Sequence, residues 1–81
     1  VSCSLNPPVQ EMSNARQTIQ AAKEAQADVY APDALREAEA LLHNATRAIE
    51  AGDYLSAREN AVAAQQQAIK ARQQALSKQR N

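Results

Sequence analysis

From Val9 to Leu76 the apolar residues of this chain recur at intervals of three and four, and most of them are alanine. That spacing is the period of an α-helix, so each stretch carries one apolar face and one polar face. The kind of apolar residue matters as much as the spacing: 19 of the 81 residues are alanine, Phe and Trp are absent, and Tyr occurs twice. A core built mainly of methyl groups is thin. It nevertheless lets helix axes approach toward the low end of the usual ~8 to 10 Å range, where dispersion contacts accumulate. Ten glutamines and a single glycine, Gly52, favour long helices and leave little material for strands. The fold class read from the sequence is all-α: an antiparallel three-helix bundle, or a helical hairpin with a long, overhanging third helix.

Punctuation divides the chain into a tether, residues 1–8, and a helical domain, residues 9–81, with helices expected at about 9–30, 32–51 and 53–80. The Pro7-Pro8 pair holds an extended path, and Asn6 is placed to cap the first helix. Val9, Met12, Ala15, Ile19, Ala22, Ala25 and Val29 form its apolar stripe. In Tyr30-Ala31-Pro32-Asp33, Pro32 disfavours helical geometry at Ala31 and suits the first position of the next helix, where Asp33 complements the dipole. The second stripe is Leu35, Ala38, Leu42, Ala45 and Ile49, widened by Leu41. Gly52 fits the left-handed residue that closes this helix, and Asp53 fits the cap of the following one.

The third helix carries two strips at seven-residue spacing. Leu55, Val62, Ile69 and Leu76 make one. Tyr54, Ala61, Ala68 and Ala75, with Ala57, Ala64 and Ala71, make the other. Together they form a wide face able to serve two neighbouring helices, which makes this helix the shared wall of the bundle. At 1.5 Å per residue it runs to about 40 Å, against roughly 28 Å for the second helix. Its Gln-rich end, Gln65 to Gln79, is therefore expected to project and to pack against another copy or a partner. A chain of this size hides only about 60% of its unfolded surface, which points to a marginal monomer.

Nine basic and nine acidic residues cancel, so no whole-chain attraction to nucleic acid or anionic membrane is implied. The distribution is uneven: every acid lies at or before Glu59, while Lys70, Arg72, Lys78 and Arg80 follow with no acid among them. Contact with an anionic polymer is one reading of that tail. The plainer one, cations placed near a helix C-terminus, is favoured because the four charges scatter around the helix and no aromatics interleave for base stacking. His43 with Glu39 one turn earlier lacks two further metal ligands. Glu37, Glu39 and Glu50 read as solvated helix charges, and Asn44-Ala45-Thr46 as an accidental glycosylation triplet. Tyr30 and Tyr54 open the second and third helices and cap opposite poles of an antiparallel bundle. No apolar run approaches the roughly 20 residues that span a bilayer.

Cys3 is the one cysteine and cannot make an internal disulfide. Val1-Ser2-Cys3-Ser4 resembles the end of a bacterial lipobox, in which a small residue precedes the cysteine that becomes the acylated first residue of the mature lipoprotein. The polar, proline-bearing segment that follows suits a spacer between anchor and body. Tyr30-Ala31-Pro32 followed by Leu35 and Ala38, then Ala51-Gly52-Asp53-Tyr54 followed by Ala57-Arg58, are similar to the helix junctions of a family of small, alanine-rich bacterial envelope proteins. These are described as a domain of unknown function and are mostly predicted lipoproteins. The resemblance spans roughly residues 7–75. It implies a helical periplasmic module with no catalytic activity and no cofactor, and Ser4 after the cysteine implies sorting to the outer membrane.

The expected function is thus a non-catalytic envelope lipoprotein, held at the outer membrane through Cys3 and facing the periplasm. It would present its bundle as a spacer, scaffold or assembly partner. Its expected partners are the membrane, through the lipid, and either further copies or an envelope protein, met at a surface comprising Leu55, Val62, Ile69, Leu76, Lys70, Arg72, Lys78 and Arg80. Nucleic acid and small-molecule substrates are not expected. The alternative is a self-associating coiled-coil or filament-forming module without an anchor. Enzymatic activity ranks last, because no nucleophile, base and pocket can be assembled from these residues.

Overall fold

The computed structural model describes residues 6–80. Cys3 and the lipobox-like segment lie outside them. Four helices follow in order: α1 (Val9–Glu24), α2 (Ala27–Tyr30), α3 (Pro32–Glu50) and α4 (Tyr54–Arg80). The three long helices form a bundle with no strand among the described residues.

Direction follows from which residues meet. Glu11 reaches Arg58 at 3.6 Å, Thr18 accepts a hydrogen bond from Gln65 at 3.4 Å, and the carbonyl of Ala25 accepts one from Gln79. The partners climb α1 and α4 together, so these two helices are parallel. α3 runs the opposite way. Ala45 clusters with Met12 and Ala61 at one end, while Ala34, Leu35 and Ala38 cluster with Ala68, Ala71 and Ala75 toward the other. The bundle is therefore up-down-up, and α4 touches both α3 and α1 more extensively than those two touch each other. The shared wall is α4, as expected, but not through the width of its apolar face.

The wall uses only one of its two strips. Ala57, Ala61, Ala64, Ala68, Ala71 and Ala75 are fully buried. Leu55, Val62, Ile69 and Leu76, expected to serve a second neighbour, point outward instead. The reason is geometric. At 100° per residue the six alanines cover an arc of about 80°, and two helices packed against a third in a triangle are seen from it less than about 90° apart. One narrow arc serves both. Each alanine methyl removed from water contributes roughly 0.8 kcal/mol, so the seam as a whole contributes about 5 kcal/mol before ordering costs.

The Gln-rich end of α4 does not project. Ala68, Ala71 and Ala75 lie within the larger core cluster with Ala27, Ala31 and Ala34, so the three-helix bundle, and not the hairpin with a free arm, is the arrangement formed. What covers this end is α2 together with the start of α3, and α2 exists because the chain breaks where one helix from 9 to 30 was expected. Gln26 adopts a left-handed conformation, φ 65°, and the chain restarts at Ala27. The break turns Ala27 and Ala31 inward, both buried, and leaves Val29 exposed although the unbroken helical pattern placed it on the apolar face.

The remaining junctions follow the sequence. Pro32 begins α3, and Asp33 in its first turn pairs with Arg36 at 2.6 Å. Gly52 has φ +78°, the amide of Gly52 donates to Ile49, and that of Asp53 donates to Ala48, which satisfies two carbonyls of the last turn of α3. Asp53 Oδ1 then accepts the amide of Ser56 at 3.1 Å and caps α4. Asn6 does not cap α1. Pro8 occupies that position, its carbonyl accepts the amide of Met12 at 3.0 Å, and its ring is fully buried.

Candidate functional site

The outward strip of α4 is the feature the bundle leaves unused. Leu55 is 67% exposed, Val62 38%, Ile69 41% and Leu76 36%. A step of seven residues drifts by only about 20° around a helix, so the four side chains make one near-straight stripe along its length. None of the four belongs to the buried core clusters, whose α4 members are all alanines.

Each edge of the stripe has its own chemistry. On the side nearer α1 stand Arg58 and Arg72 with Gln65 between them. Arg58 leans toward Glu11, and Gln65 donates to Thr18, whose hydroxyl donates to the carbonyl of Asn14 at 2.8 Å. Ile69, Arg72 and Gln73 of α4 face Gln17, Thr18 and Ala21 of α1 across a shallow depression of about 330 Å³. On the far side stand Glu59 and, near the end, Arg80, again separated by glutamines.

The basic residues of the tail do not gather. Lys78 donates to the carbonyl of Tyr30 at 2.6 Å and is thereby occupied within the bundle. Arg72 sits at the α1 edge, and Lys70 and Arg80 are exposed at other angles of the helix. Of the eight surface residues singled out in the sequence, the structure aligns the four apolar ones and disperses the four cations.

Elsewhere the polar groups are paired or solvated. Glu39 turns to Lys23 at 3.0 Å rather than to His43, which is exposed, as are Glu37 and Glu50. A second depression, about 340 Å³, lies beside that ion pair between α1, α2 and α3. Of its four charged lining groups, Lys23 pairs with Glu39 and Arg36 with Asp33, while Asp28 is exposed to solvent. Among the described residues no three His, Cys, Asp or Glu side chains converge as metal ligands would. Tyr30 packs on the larger core cluster at one pole, and half-buried Tyr54 begins α4 at the other.

The tie from Lys78 to Tyr30 and the turn at Gln26 escaped the sequence. A lysine in a last turn signals its own helix end, and nothing marks it as the cap of another helix. The chain belongs to the family described as Domain of unknown function (DUF4398), which matches residues 10–81. No curated protein and no solved structure matches it.

Proposed function

We propose, proceeding from that family membership, that this chain is a non-catalytic lipoprotein of the bacterial envelope, acylated at Cys3 and held at the outer membrane. Its helical bundle serves in the periplasm as a spacer and assembly partner. The observation that carries the reading is the way the tether joins the body. Pro8 is fully buried at the start of α1, and α1 and α4 both run away from that pole. A membrane anchor five residues before Pro8 would hold a slender body of 54 × 17 × 14 Å by one fixed end, with its far end presented away from the bilayer. Each buried acyl methylene contributes roughly 0.8 kcal/mol, so two or three chains suffice to retain such a protein.

Intact-mass measurement of the native protein tests this. The expected result is a chain that has lost Val1 and Ser2 and carries acyl groups on Cys3, with a Cys3→Ser variant passing from the membrane to the soluble fraction. A mature chain that keeps Val1-Ser2 and bears no lipid would overturn it. The exposed stripe on α4 favours a second reading, a self-associating module without an anchor, and the same mass measurement separates the two.

A further inference from the structure

We propose that the outward face of α4 binds a second copy of this chain, α4 against α4, with the two helices parallel and in register. This names the partner in the assembly role given above, and one of its arguments, the shared pole, rests on that reading.

The first argument is periodicity. Leu55, Val62, Ile69 and Leu76 repeat every seven residues, the repeat that stays on a seam when two helices wind around each other. A second α4 carries the same repeat over the same length, so four apolar residues meet four without slipping out of phase. Inside the bundle the core contacts of α4 to α1 and α3 fall to the alanine arc, while Ile69 of the stripe lines the shallow depression toward α1.

Charge then selects the orientation. In a parallel pair related by a two-fold axis along the helices, opposite edges of the stripe face each other. Glu59 of each copy lies against Arg58 of the other, and Arg72 and Arg80 face glutamines. Arg58 already leans toward Glu11 at 3.6 Å, and the second carboxylate completes a three-charge cluster. In the antiparallel pair that keeps all four apolar residues matched, like edges meet. Arg58 of each copy then faces Arg72 of the other, which places two like-charge contacts at the seam and leaves Glu59 against a glutamine.

Area and anchoring agree with a reversible contact. The four half-exposed side chains and their glutamine flanks offer a few hundred Å² per copy, less than the ~800 Å² per partner of a standard stable interface. Such a contact gains from copies held on one surface, where the second encounter is confined. Because α1 is parallel to α4, a parallel pair brings both tethers to one pole and so toward one membrane, whereas an antiparallel pair sends them to opposite ends.

The test uses the full chain carrying Cys3→Ser, so that any thiol is an introduced one. Sedimentation equilibrium up to about 1 mM should show a reversible dimer, and Ile69→Lys should weaken it about tenfold or more with unchanged helical circular dichroism. Val62→Lys should do the same. Arg58→Glu should weaken the dimer, and adding Glu59→Arg should restore it, a rescue that a purely structural role for either residue does not give. On oxidation, Leu55→Cys alone should cross-link to itself, as should Leu76→Cys alone. A chain monomeric at about 1 mM overturns the proposal, and so does a dimer indifferent to Ile69→Lys. Cross-linking only in a mixture of the Leu55→Cys and Leu76→Cys chains overturns the parallel arrangement. Since these measurements use unlipidated protein, a failed dimer leaves the mass of native Cys3 to decide the anchor, and a lipid-free native chain leaves the dimer standing.

Discussion

The ammonium of Lys78 lies 2.6 Å from the main-chain carbonyl oxygen of Tyr30, forty-eight residues earlier in the chain. Beside it, Gln79 donates to the carbonyl of Ala25, where α1 ends. Two adjacent side chains of α4 thus close the C-terminal ends of α1 and α2, whose last carbonyls have no partners within their own helices. One of the four cations of the basic tail is therefore used inside the bundle, at a position where a helix dipole favours positive charge.

Lys78→Met keeps the aliphatic stem and removes the charge and the donor. Because the contact is exposed, the expected loss is about 0.5–1 kcal/mol, or a few degrees in Tm for a domain of this size. Amide exchange in Ala27–Tyr30 should quicken more than that in α3. A melting curve and an exchange pattern identical to those of the parent chain would mean that the tie contributes nothing.

Gln26→Gly is expected to stabilise the protein. A left-handed conformation costs an L-residue roughly 1–2 kcal/mol, and glycine avoids that cost while giving back about 0.5–1 kcal/mol through its freer unfolded state. Gln26 is exposed and its side chain caps nothing, so little else is lost. The net gain of a few tenths to 1 kcal/mol should appear as a higher urea midpoint at unchanged slope. A lower midpoint would place the left-handed turn elsewhere.

The contrast between Gln26 and Gly52 shows where the sequence was readable. Both residues are left-handed, at φ 65° and 78°. Gly52 follows a helix-ending Glu50-Ala51 and precedes a capping aspartate, so its conformation is written in local chemistry. Gln26 is a good helix former inside an unbroken apolar period, and its turn is imposed from outside: the break is what brings Ala27 and Ala31 against Ala68, Ala71 and Ala75. The same distinction governs α4. Two strips at seven-residue spacing were visible, and so was the helix itself. Which strip is covered depended on the angle between two neighbours, a tertiary quantity that periodicity does not contain. Val62 and Ile69, as the larger apolar residues, drew attention to the face that stays open, while alanine, buried through close approach, took the core.

Gly52→Ala and Asp53→Ala should both destabilise the protein, from different causes. A methyl group at Gly52 meets nothing within 4 Å, so the cost of about 1–2 kcal/mol comes from the positive φ alone; the stiffer unfolded chain offsets about 0.5–1 kcal/mol of it, for a net loss of a few tenths to 1 kcal/mol. Asp53→Ala leaves the amide of Ser56 without its acceptor and costs about 0.5–2 kcal/mol, as lost caps do. Asp53→Asn should recover most of the stability and Asp53→Leu none, because asparagine keeps a side-chain oxygen. Thermal denaturation of the four variants decides it, and equal losses for Asn and Leu would count against capping.

Adjacent residues of α4 should respond oppositely to substitution. Ala68 is fully buried where α4 meets the larger cluster, and Ala68→Leu forces helices that approach over methyl groups to separate or strain, at a cost of about 1–3 kcal/mol. Ile69→Lys next door places a long polar side chain on a face 41% open and should change the stability of the monomer by no more than about 0.5 kcal/mol. The pair is to be measured at concentrations low enough to keep the chains apart, since any stabilisation by self-association would otherwise be counted against Ile69→Lys. If Ile69→Lys unfolds the monomer as severely as Ala68→Leu, the outer strip belongs to the core after all, and a docking role for it is lost. If only Ala68→Leu does so, α4 carries its folding information on one arc and leaves the other free to be read by another molecule.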